Sequence, residues 1–202
     1  MLQQLADLKF PRLPNRTPVN LSISIMSYLH QALVDYAGIY AETYGLQEQV
    51  CAPRLLPSAE VQTEARHYFG KWFPSADAFL ASARFLTDRG DTNEASFNLH
   101  QAAERLYYGT LLVLTLYSSK SHKLNFLRTH AEEVAPRLIA AWPRGDKFSR
   151  RCFELLRQAY VSARYSPHHE ISDEELRWLA ARVTALQALV KSVCDQRLAP
   201  RD

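Results

Sequence analysis

Ala95-Ser96-Phe97-Asn98-Leu99-His100-Gln101-Ala102-Ala103-Glu104-Arg105-Leu106-Tyr107, running on through Tyr108-Gly109-Thr110-Leu111-Leu112-Val113-Leu114-Thr115-Leu116, is the stretch that decides the fold. Its apolar residues step by three and four, so that Ala95, Leu99, Ala102, Leu106 and Val113 fall on one side of a helix. From Leu106 to Leu116 it is apolar nearly all round. Such a helix has little side to give to water and is expected at the centre of a bundle.

The flanking sequence supplies the partners. Upstream, Phe69, Trp72, Ala76, Phe79, Ala83 and Leu86 mark one face of a long helix that Gly90 ends. Asp91 or Thr92 is placed to cap the central helix. Downstream, a short helix is expected around 124–134 and a helical turn over 136–142. Phe148, Cys152, Leu155, Leu156, Ala159 and Ala163 then define another long helix, which Pro167 stops. Ser172-Asp173-Glu174-Glu175 fits a capping box and opens a last helix with Leu176, Leu179, Val183, Leu186, Val190 and Val193 inward. No strand is needed after residue 58. The expected fold is all-α, an antiparallel helical bundle of about five to six helices.

Residues 1–57 read differently. Pro11, Pro14, Pro18, Pro53 and Pro57 punctuate them. Positions 19–25 alternate partly like a strand, and 28–44 fit a helix ending near Gly45. The expected organisation is a short irregular extension over 1–57 and a helical domain over 58–198.

Composition sets the outer limits. At 202 residues, 47% of them hydrophobic and 22% charged, the chain can bury a full core with an appendage, or two small ones, and is not a disordered chain. Cys51, Cys152 and Cys194 are too few and too scattered for a disulfide framework, and no Cys or His spacing suggests zinc. Asp7 and Lys9 interrupt any early apolar run, so no signal peptide is read, and the apolar run at 111–116 is far short of a membrane span. A reduced, cytoplasmic protein with no membrane role is expected. Six glycines, none in a phosphate-cradling run, exclude a P-loop or Rossmann site. No metal and no cofactor are called for.

Net charge is +3, unevenly spread. Between 134 and 169, Arg137, Arg144, Lys147, Arg150, Arg151, Arg157 and Arg164 stand against only Asp146 and Glu154. Such a band attracts phosphates, or it merely solubilises a helix face. Arg150, Arg157 and Arg164 recur every seven residues and so form one stripe along a helix.

The stripe runs into Arg164-Tyr165-Ser166-Pro167-His168-His169. A guanidinium grips a phosphate with a planar fork of donors, and an imidazole moves a proton near neutral pH. A helix end and a short Pro-held loop bring such side chains together on one phosphate. Adjacent histidines in a loop point different ways, so at most one of the two is expected to face the site. On the central helix His100, Glu104 and Tyr107 share a face. They either line the cleft near Arg164 or fasten the bundle internally. Ser119-Lys120-Ser121-His122 precedes a helix start and either takes an anion there or is a plain loop.

Three segments together resemble one family. Phe97 to Tyr107, then Lys120-Ser121-His122-Lys123-Leu124, then Ala159-Tyr160-Val161-Ser162-Ala163-Arg164-Tyr165-Ser166 are similar to HEPN domains, the "higher eukaryotes and prokaryotes nucleotide-binding" helical bundles. The resemblance runs from about residue 60 to 198 and includes Tyr68-Phe69-Gly70-Lys71-Trp72-Phe73-Pro74. It is to the subgroup fused behind a minimal nucleotidyltransferase, whose truncated tail residues 19–57 resemble. A Gly-Ser turn with a downstream Asp-x-Asp is missing, so no nucleotidyl transfer is expected of this chain alone.

The resemblance implies a homodimer that binds a nucleotide or RNA phosphate in an interface cleft and works with a separate nucleotidyltransferase. Arg164, His168 and His169 would carry it, with support from Glu104, Tyr107, Lys120, His122, Tyr160 and Arg157. Family ribonucleases carry Arg, four to six residues, then His; Arg164 and His169 fit that spacing and His168 does not. A metal-independent ribonuclease, the toxin of a toxin–antitoxin pair, is therefore the second reading. Some toxin members carry a modified Tyr two residues after the His, where this chain has Ile171. The third reading is a helical dimerisation module without chemistry.

Overall fold

The structure, a computed structural model, describes residues 57–119, 121–165 and 170–200, with the backbone alone at Arg164 and Tyr165. The chain divides into two units at Leu56 and Pro57. The strand expected at 19–25 and the helix expected at 28–44 lie outside the described residues.

Five α-helices and one 3-10 turn make up the regular structure of the described residues, and no strand occurs among them. They are α1 (Ser58–Arg89), α2 (Thr92–Thr115), α3 (Leu124–Val134), the 3-10 turn Pro136–Ala141, α4 (Lys147–Tyr165) and α5 (Asp173–Leu198). Short connections make neighbours in sequence antiparallel neighbours in space. The all-α bundle is thus as the periodicity required. No helix among the described residues is long and apolar enough to cross a membrane.

α2 is the hub. It packs on α1, α3, α4 and α5, and Ala95, Leu99, Ala102, Leu106 and Val113 are all buried. Its tightest contact is with α1. A Cβ at Gly109 would come within 2.8 Å of the Trp72 Cβ, so the helices approach where only a glycine fits. On α1 the seam is sealed by small residues, with Ala76 and Ala83 almost wholly buried, while Phe69, Phe79 and Leu86 pack partly buried against the core. Ala65 and Leu80 are also buried, at the same spacing of three or four from Phe69, Ala76 and Ala83, so they belong to the expected face. α1 continues through Pro74 even though proline cannot donate to the Gly70 carbonyl.

Helix ends follow local chemistry. Gly90 closes α1 at φ 83°, its N–H donating to Thr87 O and the Asp91 N–H to Leu86 O, each at 3.0 Å. Asp91 stands at the N-cap of α2, but its side chain makes no capping bond. It accepts instead from Arg89 Nε at 2.8 Å, which corrects the expected cap. α4 ends at Tyr165, two residues before Pro167. Ser172 and Glu175 form the expected capping box: Ser172 Oγ accepts from the Glu175 N–H at 3.2 Å and the Ser172 N–H donates to Glu175 Oε2 at 3.0 Å. All six apolar residues expected inward on α5 are buried.

Candidate functional site

Glu104 sits on the part of α2 that faces α4 and the 117–123 connection. Its side chain is only 13% exposed. A carboxylate so largely withdrawn from water needs partners, and two imidazoles supply them. His122 Nδ1 lies 3.1 Å from Glu104 Oε1, reaching it from the connection. His100, one turn earlier on α2, places Nε2 3.4 Å from Glu104 Oε2, an ion-pair approach rather than an aligned hydrogen bond. The other ring nitrogen, Nδ1, meets the Leu156 carbonyl of α4 at 2.9 Å. A carbonyl can only accept, so Nδ1 carries the proton there. His100 thereby ties α2 to α4 through its own ring.

Tyr160 of α4 closes the group. Its ring centroid lies 5.5 Å from His100, 6.1 Å from His122 with the two rings parallel, and 6.4 Å from Phe97. The chain reaches His122 by leaving α2 at Leu116 in a left-handed turn, φ 57°. Burial acts to raise the Glu104 carboxyl, but the two imidazoles beside it, His100 and His122, outweigh it and hold the group below the usual carboxylate range. Glu104 is therefore a charged group at neutral pH.

Among the residues singled out in the sequence, Glu104, His122 and Tyr160 come together here. Phe97 and His100 complete the cluster. His100 was visible four residues before Glu104; Phe97 lies off the apolar face read for this helix and gave no signal of its own. Arg164 follows Tyr160 by one helical turn on α4, so its backbone lies on the same side of that helix. Its side chain, and Lys120, His168 and His169, lie outside the described residues.

Two expected site residues stand elsewhere. Tyr107 is fully buried and accepts a 2.6 Å hydrogen bond from Trp142 Nε1, so it belongs to the core and not to a cleft wall. Burial also pushes its phenol well above the usual range. Arg157 is paired with Glu154, one turn earlier on α4, which Gln158 also meets at 2.6 Å. Arg157 lowers the Glu154 carboxyl in return. Other members of the basic band are engaged too. Arg144 Nη2 lies 2.5 Å from Glu132, and Arg151 Nε 2.6 Å from Glu175. Much of the band's charge is thus taken up by internal ion pairs.

The remaining reactive groups are quiet. Burial pushes the Cys152 thiol up to about 11 and the Cys194 thiol up to about 12, so neither is a thiolate near neutral pH. Among the described residues no three His, Cys, Asp or Glu side chains are arranged to hold a metal ion.

Comparison with known proteins places the bundle and corrects the front end. Residues 5–58 match a family described as a protein of unknown function (DUF2274). This overturns the expected nucleotidyltransferase remnant: proline-punctuated amphipathic sequence is common to many small folds, and the missing Gly-Ser and Asp-x-Asp left nothing specific to that enzyme. No curated protein matches the chain. Residues 69–193, more than half of the chain and all of the helices that build the cluster, match the HEPN domain, and the chain belongs to the HEPN family.

Proposed function

We propose that this HEPN bundle binds the phosphate of a nucleotide or of RNA where α2, the 117–123 connection and the end of α4 meet. One observation carries the reading: Tyr160, stacked beside His122 and the His-bound Glu104, precedes Arg164 by a single turn of the same helix. Arg164 supplies the cation for the phosphate, with His168 or His169 beside it, and Lys120 comes from the connection that carries His122. Tyr160 and His122 offer flat faces to a base or ribose.

The site works as a homodimer. In support, the large apolar side chains flanking it are exposed: Tyr117, which opens the connection, is 61% exposed and Val161, which follows Tyr160, is 57% exposed. With residues 5–58 matching a different family, the reading no longer draws on a nucleotidyltransferase partner.

The test is a fluorescence-anisotropy titration of the full chain with a labelled ribonucleotide and a short RNA. Saturable binding that weakens about tenfold or more in Arg164→Ala is expected, the loss of a charge-assisted phosphate contact. If Arg164→Ala instead loosens the dimer on gel filtration and the wild type binds no nucleotide or RNA, the bundle is a dimerisation module.

A further inference from the structure

We propose that Arg105 is the centre of a carboxylate-binding site on the face shared by α1 and α2, with Trp72, Phe79, Lys71 and Gln101 around it. This site is separate from the Glu104 cluster and does not draw on the phosphate reading. Its ligand is a carboxylate, carried by a small acid or by an acidic peptide.

Arg105 comes from α2 and lies against α1. Its guanidinium carbon is 5.4 Å from the centre of the Trp72 ring and 4.8 Å from that of Phe79. Those two residues are seven apart on α1, about 10 Å along the helix axis, so the guanidinium sits between their rings. Both rings are held by packing. Phe79 rests against the core, and Trp72 meets Tyr108 at 4.7 Å. The rings attract the charge and restrict the side chain, but they offer its N–H groups no oxygen. Arg105 Nε is withdrawn from water and has no hydrogen-bond partner. Among the described residues no acidic side chain forms an ion pair with it.

Gln101 adds a second open donor, one turn earlier on the same face of α2. It is only 9% exposed, and its Nε2 makes no hydrogen bond. Lys71 adds a second cation, its Nζ 5.4 Å from the centre of the Trp72 ring. Donors shut away from water without an acceptor are costly, and here they stand beside two positive charges. An oxyanion satisfies both needs at once.

The molecule itself shows which oxyanion completes such a group. Arg128 lies over Phe153 at 4.4 Å, and its Nε donates to Glu132 at 2.7 Å. Arg89 lies over Phe85 at 5.6 Å, and its Nε donates to Asp91 at 2.8 Å. In each case a ring holds the guanidinium and a carboxylate takes its Nε–H. Arg105 has the rings and lacks the carboxylate. Arg182, over Trp178 at 5.8 Å, also leaves Nε unpaired, but no open donor stands one turn away on its helix. A flat carboxylate matches the planar fork and enters edge-on between two rings. A tetrahedral phosphate spreads its oxygens towards those rings.

The test is nitrogen-edited NMR on the full chain at neutral pH. The Arg105 Nε–H signal is assigned with Arg105→Gln and the Trp72 indole signal with Trp72→Phe. Sodium acetate, a capped tetraglutamate peptide, sodium phosphate and sodium chloride are added in turn at matched ionic strength. Both signals should move saturably with acetate or tetraglutamate and stay in place with chloride. Equal half-saturation per carboxylate would identify a small acid as sufficient, and tighter tetraglutamate binding would identify an acidic peptide. Arg105→Lys keeps the charge and loses the fork, so the response of the Trp72 signal should weaken about tenfold or more. Signals that follow ionic strength alone, that move only with phosphate, or a Trp72 response unchanged in Arg105→Lys would overturn the proposal. Nucleotide binding at the Glu104 cluster stands or falls separately, because none of these variants touches it.

Discussion

Tyr107 and Glu104 stand three residues apart on α2, and their surroundings give them opposite roles. The Tyr107 hydroxyl is the acceptor for the buried Trp142 indole N–H, at 2.6 Å. Tyr107→Phe leaves that donor unsatisfied in the core, and a loss of about 1–3 kcal/mol in chemical denaturation is expected, with RNA binding unchanged. A stability equal to the wild type, or a loss of binding, would return Tyr107 to the site. The sequence put His100, Glu104 and Tyr107 on one face, and the helix honours that register. It did not show where along α2 the face passes from site to core, because that depends on Trp142, 35 residues away in sequence. The meeting of His122 with Glu104, 18 residues apart, was equally invisible. No spacing rule tells where a connection between helices lays a side chain.

At the scale of the element, ends were legible because their chemistry is local. Gly90 has the left-handed φ that its lack of a Cβ permits, and Ser172 with Glu175 forms the box that the sequence spelled. Ser172→Ala is expected to lower stability by about 1 kcal/mol, read as a shift of the urea midpoint at constant slope. An unchanged midpoint would mean that Arg151, which holds Glu175 Oε1 at 2.6 Å, secures the start of α5 without the cap. Asp91 shows the limit of such local reading: a good capping residue was drawn away by Arg89, two positions earlier. The basic stripe on α4 shows another. Arg157 and Glu154 are three residues apart, a spacing at which helical side chains meet, and their pairing removes a cation counted toward phosphate.

At the scale of the molecule, one helix decides both the fold and the site. α2 is apolar enough to be enclosed by α1, α3, α4 and α5, and Gly109 lets α1 approach it closely. Because it is enclosed, the polar groups it does carry have fixed neighbours. Glu104 finds His100 on its own helix and His122 from the connection, with Tyr160 facing them from α4. The family match over 69–193 covers this whole arrangement, whereas 5–58 matches a family of unknown function. Helical period and capping sufficed for the bundle. The site required the packing of three segments on one another, which no single segment encodes.

The most direct test of a phosphate site at this place is imidazole NMR on uniformly nitrogen-labelled protein. The ring signals of His100, His122 and His130 are assigned with His→Gln variants and followed as a ribonucleotide is added. The expected result is movement of the His122 ring signals, with His130 unmoved on the surface of α3. Signals at His122 that stay in place while the nucleotide binds would contradict a phosphate site between α2, the 117–123 connection and α4.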